Sequence, residues 1–152
     1  MFTVDASVHI NALKAAEDGS PESQVFLEQL HSRPWPVFSP TLLLIEMAAA
    51  ATRALDDAGQ GLALAQAIRD LPGQIWVPLD ESLANEAMQL AAELRLRGAD
   101  AVYAAVARCY GTRLVTRDRQ QLERLRQVLP VLTPVEAMAH LAERKLERER
   151  SE

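Results

Sequence analysis

Short β-type runs alternate with longer helical ones along almost the whole chain, and this alternation most restricts what it can fold into. Phe2-Thr3-Val4, Pro36-Val37-Phe38, Ile75-Trp76-Val77, Arg113-Leu114-Val115-Thr116 and Val131-Leu132 are the strand candidates. Strands separated by helical crossovers pair in parallel. The expected fold is therefore α/β, a three-layer sandwich with a central, mostly parallel sheet of four to five strands.

The segments between the strands carry their own boundary signals. A helical or irregular stretch runs from about Ser7 to His31, interrupted at Gly19-Ser20-Pro21. Ser39-Pro40 reads as a helix cap followed by proline at the first helical position, and that helix continues through Ala48–Ala51. Gly59 and Gly61 are expected to break it before a shorter helix, Leu62 to Leu71, closed by Pro72-Gly73. Asp80 can cap the next helix, where Leu83, Ala87, Leu90, Ala91 and Leu94 recur on one face, and Gly98 is expected to end it. Ala99 to Tyr110 forms another helix, with Val102, Ala105, Val106 and Cys109 on one stripe and Gly111 at its end. A short helix over 119–127 follows. Thr133-Pro134-Val135-Glu136 matches a capping box, in which threonine and glutamate each satisfy the other's backbone amide.

Composition narrows the function classes. The 152 residues are 49% hydrophobic and 24% charged, an ordered composition at the length of one domain. The expected domain spans residues 1–140, with 141–152 a charged helix end or frayed tail. The longest uncharged apolar stretch, Pro34 to Ile45, is about a dozen residues, too short to cross a bilayer, and the first residues lack a signal-peptide pattern. Cys109 is the only cysteine, which excludes an internal disulfide and a cysteine-based zinc site and fits a reducing cytoplasm. The formal net charge of −5 argues against binding nucleic acid by bulk charge. The charge is uneven, however. Residues 95–126 carry Arg95, Arg97, Arg108, Arg113, Arg117, Arg119, Arg124 and Arg126 against only Asp100, Asp118 and Glu123. The planar guanidinium fork suits phosphate; a solvated helical surface accounts for the cluster equally well.

Four acids fall at informative places. Open parallel sheets put their sites at the carboxyl ends of strands. Asp5 directly follows the first strand, and Asp118 follows the fourth by one residue. Glu46 lies on an otherwise apolar helix, and Asp100 in the first turn of its helix, where the helix dipole favours a carboxylate. Each acid taken singly also has a structural explanation as a cap or turn residue. As a set converging on one cleft they would repel each other and shift their pKa values. A divalent cation removes that cost, and hard oxygen ligands without cysteine or paired histidine select Mg²⁺ or Mn²⁺ over zinc.

Val4-Asp5-Ala6-Ser7, Leu44-Ile45-Glu46, Gly98-Ala99-Asp100-Ala101-Val102-Tyr103-Ala104-Ala105 and Leu114-Val115-Thr116-Arg117-Asp118, in that order and on those elements, resemble the PIN-domain nucleases. The likeness runs from Phe2 to about Pro134, and the small single-domain form is similar to the VapC-type toxins of toxin–antitoxin pairs. The resemblance implies that Asp5, Glu46, Asp100 and Asp118 bind metal. It makes Thr116 the hydroxyl residue of the site and Ser7 a supporting donor behind it. It implies a Mg²⁺- or Mn²⁺-dependent ribonuclease that hydrolyses RNA phosphodiesters in line, leaving 5′-phosphate and 3′-hydroxyl ends. The partners it implies are an RNA substrate, a cognate antitoxin whose peptide lies along a groove near the site, and a second copy in a homodimer, with no membrane. Arg97, Arg117 and Arg119 are the candidate phosphate contacts.

Other chemistries find less in the chain. His9, His31 and His140 are scattered without metal spacing and read as packed or surface residues. There is no Gly-x-Ser-x-Gly elbow, no phosphate loop and no dinucleotide fingerprint. A haloacid-dehalogenase-like phosphatase wants a second aspartate two residues after the first, where this chain has Ser7. A phosphoreceiver wants an acidic pair and a lysine after a late strand, and the only lysines are Lys14 and Lys145. A non-catalytic binding module that keeps the fold is the remaining alternative. Trp35 and Trp76 are read as core residues, and the Ala48–Ala51 run as a surface for close helix packing, against the sheet or in a dimer.

Overall fold

The computed structural model describes residues 1–33 and 35–150. Five strands, β1 (Phe2–Val4), β2 (Val37–Pro40), β3 (Gln74–Val77), β4 (Arg113–Val115) and β5 (Val131–Leu132), form one sheet in the order β3-β2-β1-β4-β5. Every pairing is parallel. The helices are α1 (Ala6–Leu13), α2 (Ser20–Ser32), α3 (Leu42–Leu55), α4 (Ala58–Arg69), α5 (Glu81–Leu94), α6 (Gly98–Tyr110), α7 (Arg119–Leu125) and α8 (Pro134–Glu149). The chain builds outward from β1 in one direction and then, after β3, in the other, so the strand order reverses between β1 and β4. Such a reversal opens a crevice at the carboxyl ends of the two strands.

Two apolar cores lie on the two faces of the sheet. Phe2, Val4, Val37 and Val115 meet Phe26 and Leu30 of α2 and Ala137 and Leu141 of α8. Leu114, Val77 and Val131 meet Leu43 and Met47 of α3, Leu90 of α5, Leu125 of α7 and the whole buried run of α6 from Ala101 to Ala107. Leu114 and Val115 therefore point to opposite cores, as the pleat requires. The expected three-layer α/β sandwich is present, with five strands.

Several boundaries differ from the sequence reading. Ser39 and Pro40 belong to β2, not to the start of α3; they pair in register with Trp76 and Val77. The amides of Val37 and Thr41 both donate toward β3, to Gly73 and Val77. By alternation the Pro40 nitrogen faces the β1 side, past the single Phe2–Val37 pairing, where no ladder bond is lost. Gly59 and Gly61 do not break a helix but lie inside α4. The break is made by Asp56 in a left-handed conformation (φ 51°), and Asp57 caps α4 through Gln60 N at 2.9 Å. Gly61 is needed for packing: a Cβ there would sit 2.1 Å from Thr52 Oγ1 and 2.8 Å from its backbone nitrogen in α3. The Ala48–Ala51 run faces this close helix pair and the core, with Ala50 and Ala51 buried. Gly98 opens α6 instead of ending α5, which closes at a left-handed Arg95 (φ 54°). Cys109 is exposed, because the last turn of α6 emerges from the core.

Other readings hold. Asp80 caps α5 through Leu83 N at 2.9 Å, and Gly111 closes α6 in the left-handed region. The capping box of α8 is formed, with Glu136 N donating to Thr133 Oγ1 and Thr133 N to Glu136 Oε2. Trp35 and Trp76 are half-buried against the two cores. His9 is buried and His140 packs edge-on against Phe2. The charged terminal segment is helical as far as Glu149, and residues 151–152 lie outside the described residues. Among the described residues no helix is long and apolar enough to cross a membrane.

Candidate active site

The crevice between β1 and β4 gathers the acids. Val4 and Val115 are paired neighbours, so the residues that follow them leave the sheet side by side. Asp5 caps α1, its carboxylate accepting from Ser7 N at 3.3 Å, and it is only 5% exposed. Asp118 caps α7 through Gln121 N at 3.0 Å. The structural roles considered for these two acids are real, and they fix the carboxylates in place rather than competing with chemistry.

Thr116 joins the two strand ends. Its hydroxyl donates to Asp5 Oδ2 at 3.1 Å and accepts from Asp118 N at 3.0 Å. Ser7 stands behind it: its Oγ lies 3.3 Å from Thr116 Oγ1 and accepts from Arg117 N at 3.1 Å. Asp100 enters from the first turn of α6 and Glu46 from α3. Tyr103, one turn beyond Asp100 on α6, donates to Glu46 Oε2 at 2.5 Å. α6 thus carries one acid and orients another.

The electrostatics record the convergence. Burial pushes Asp5 up from its ordinary value, with the Asp100 charge adding to the push while Ser7 and Thr116 oppose it. Burial likewise raises Glu46, which feels both Asp5 and Asp100. Asp100 is raised chiefly by burial and further by Asp118, against the opposing pull of Arg97. Asp100 thus links the set, acting on Asp5 and Glu46 and feeling Asp118, and such neighbouring carboxylates favour a positive charge among them.

One positive charge is already there. Arg97 Nε donates to Asp100 Oδ2 at 2.8 Å, and Arg97 Nη2 to Asp118 Oδ2. The other oxygen of each acid is held by Gln121, whose side-chain amide donates to Asp100 Oδ1 at 2.9 Å and whose backbone donates to Asp118 Oδ1 at 3.0 Å. Gln121 is fully buried, and its own Oε1 has no partner. No cluster of three acidic, histidine or cysteine ligands is in place for a metal among the described residues as they stand. The donor chemistry still fits a hard divalent cation: carboxylate oxygens, a nearby unpaired amide oxygen and a site that already draws in a cation.

The remaining candidates are spread wider. Arg117 is occupied elsewhere, with Nη2 donating to Asp18 O at 2.8 Å and Nη1 reaching Gly19 O at 3.5 Å. It lines, with Ser7, Asn11, Glu17 and Asp118, a polar cleft of about 540 Å³ beside the acids. Arg119 is 92% exposed and lies 3.6 Å from Glu123. Sequence reasoning missed Tyr103 and Gln121. Their signal was the helical offset of three residues, from Asp100 to Tyr103 and from Asp118 to Gln121, which puts side chains on one face or amides over a cap.

Comparison with known proteins bears on the family and the fold. The family model described as the PIN domain matches residues 2–128. A toxin–antitoxin complex from Klebsiella pneumoniae is similar in structure, with a TM-score of 0.66 and 19% identity over 88% of this chain and 98% of that one. VapC20 of Mycobacterium tuberculosis, described as a toxin that cleaves the sarcin–ricin loop, gives 0.67 and 19% over 81% and 94%. FitAcB from Neisseria gonorrhoeae gives 0.66 and 19% over 89% and 99%. No curated protein matches the sequence.

Proposed function

The chain belongs to the PIN-domain family, and on that premise we propose that it is a Mg²⁺- or Mn²⁺-dependent endoribonuclease acting in the cytoplasm as the toxin of a toxin–antitoxin pair. The nuclease unit spans residues 1–140. What supports this reading is that Asp5, Glu46, Asp100 and Asp118 lie around the β1/β4 reversal with their carboxylates held, Asp5 by Ser7 N, Glu46 by Tyr103, and Asp100 and Asp118 both by Gln121. When bound there, a hard divalent cation supplies Lewis acidity for water activation and for charge building on a phosphoryl oxygen. The four acids would hold it. Thr116 fixes Asp5 and, through the Asp118 amide, the start of α7; Ser7 keeps Thr116 in place. Raised affinity for protons at Asp5, Glu46 and Asp100 means that metal loading also expels protons, so activity falls in acid. The net negative chain leaves RNA affinity to the metal and to local arginines.

The neighbours described as toxin–antitoxin complexes support an antitoxin partner. A groove of about 700 Å³ along α3 and α4, lined by Leu44, Ile45, Ala48, Leu62 and Ala65 together with Thr52, Arg53, Gln66 and Arg69, offers a largely apolar surface of the kind a peptide needs. A homodimer completes the reading. Incubating repurified wild-type chain with single-stranded RNA and Mg²⁺ or Mn²⁺ tests the activity: cleavage by wild type that Asp5→Asn and Asp100→Asn lose is the expected result. Equal cleavage by all three would refute the assignment, and turnover of small phosphomonoesters without RNA cleavage would favour a phosphatase.

A further inference from the structure

Gln121 and Arg97 divide the oxygens of two carboxylates between them. Gln121 takes Oδ1 of both Asp100 and Asp118, one with its side chain and one with its backbone. Both Oδ2 atoms are thereby turned toward a common point, and the Arg97 guanidinium occupies it. The two holders differ in kind. Gln121 is fully buried and cannot leave without opening the core. The Arg97 side chain is 64% exposed, against 12% for Asp100 and 22% for Asp118. Its other hold on the fold is its backbone at the cap position of α6, so the side chain can swing into solvent without moving an element. Ion pairs this exposed are weak and exchange readily.

We propose that Arg97 is a displaceable internal counter-cation: it neutralises Asp100 and Asp118 while the site lacks metal and is expelled when a divalent ion takes their Oδ2 atoms. The proposal rests on the metal-dependent reading above. Gln121 acts as a positioning residue, presetting both carboxylates for whichever cation is present. The exchange replaces one positive charge beside the carboxylates by two, and it makes metal affinity depend on a residue that is not a ligand.

Calorimetric titration with Mn²⁺ of the wild type, Arg97→Gln and, as a control of equal charge change at a distant pair with Glu136, Arg126→Gln tests it. Arg97→Gln is expected to bind Mn²⁺ roughly three- to tenfold more tightly than wild type, with Arg126→Gln unchanged. In the wild type, the Arg97 Nε–H resonance, identified by its loss in Arg97→Gln, is expected to shift and exchange faster with solvent on saturation with Mg²⁺. Equal or weaker Mn²⁺ binding by Arg97→Gln, or a resonance that Mg²⁺ leaves untouched, overturns the proposal and leaves the nuclease reading standing. Failure of wild type and Arg97→Gln alike to bind Mn²⁺ overturns both.

Discussion

The Thr116 hydroxyl donates to Asp5 Oδ2 across the gap between the ends of two neighbouring parallel strands, over 3.1 Å. It accepts at the same time from Asp118 N, so one oxygen sets the positions of two of the four acids. Thr116→Val keeps the shape and removes both bonds. We expect it to cut RNA cleavage by roughly ten- to a hundredfold and to cost about 1–3 kcal/mol of stability, since a buried carboxylate and an amide are left short of a partner. Cleavage within twofold of wild type would show that the hydroxyl is dispensable.

Asp5 is held in the fold at a cost. Burial first, and the Asp100 charge after it, raise its pKa, so the folded chain binds this proton more tightly than the unfolded one. The stability tied to that proton is fully present below the ordinary value of 3.8 and is lost as pH rises through the raised value. Asp5→Asn should therefore melt a few degrees above wild type at neutral pH in metal-free buffer. The gap should close as pH falls through that window. His9, whose burial lowers its pKa to about 4, titrates equally in both proteins and cancels from the difference. Thermal melts across pH check this, and a lower melting temperature for Asp5→Asn at pH 7 would contradict it.

Tyr103 steadies Glu46 in its charged form, opposing the burial that raises it. Tyr103→Phe removes that bond and lets the Glu46 pKa rise further. The acid limb of the cleavage profile should then move to higher pH. A profile that stays in place while the rate drops would mean that Tyr103 serves packing alone.

Gly61 decides how closely α3 and α4 approach. Alanine would gain about 1 kcal/mol in helix propensity. The added Cβ would collide with the Thr52 backbone, at 2.8 Å, as well as its side chain, and overpacking costs about 1–3 kcal/mol. Because backbone atoms of α3 stand in the way, the collision should win, with Gly61→Ala losing up to about 2 kcal/mol in denaturant unfolding.

What the sequence discloses depends on the range of the interaction. Asp80, Gly111 and the Thr133–Glu136 box are read correctly because a cap is settled within four residues. Asp5 and Asp118 are legible for a related reason: each follows a strand whose apolar run marks its end. Ser39-Pro40 carries a local helix-start signal that sheet pairing overrides, because the Pro40 nitrogen faces a side with no ladder to complete. Gly61 looks like a breaker until Thr52 is seen against it. The bonds from Gln121 to Asp100 and from Arg97 to Asp118 are silent in sequence, since they are set by a meeting of α6 and α7 that no local pattern announces.

The central claim is that Asp5, Glu46, Asp100 and Asp118 share a hard cation. Anomalous diffraction from crystals grown with Mn²⁺ addresses it most directly. A manganese peak among these four carboxylates, with the Arg97 guanidinium turned away from Asp100 and Asp118, is the predicted result. Crystals at saturating Mn²⁺ with no peak there, or with manganese bound only at other acids, would contradict it.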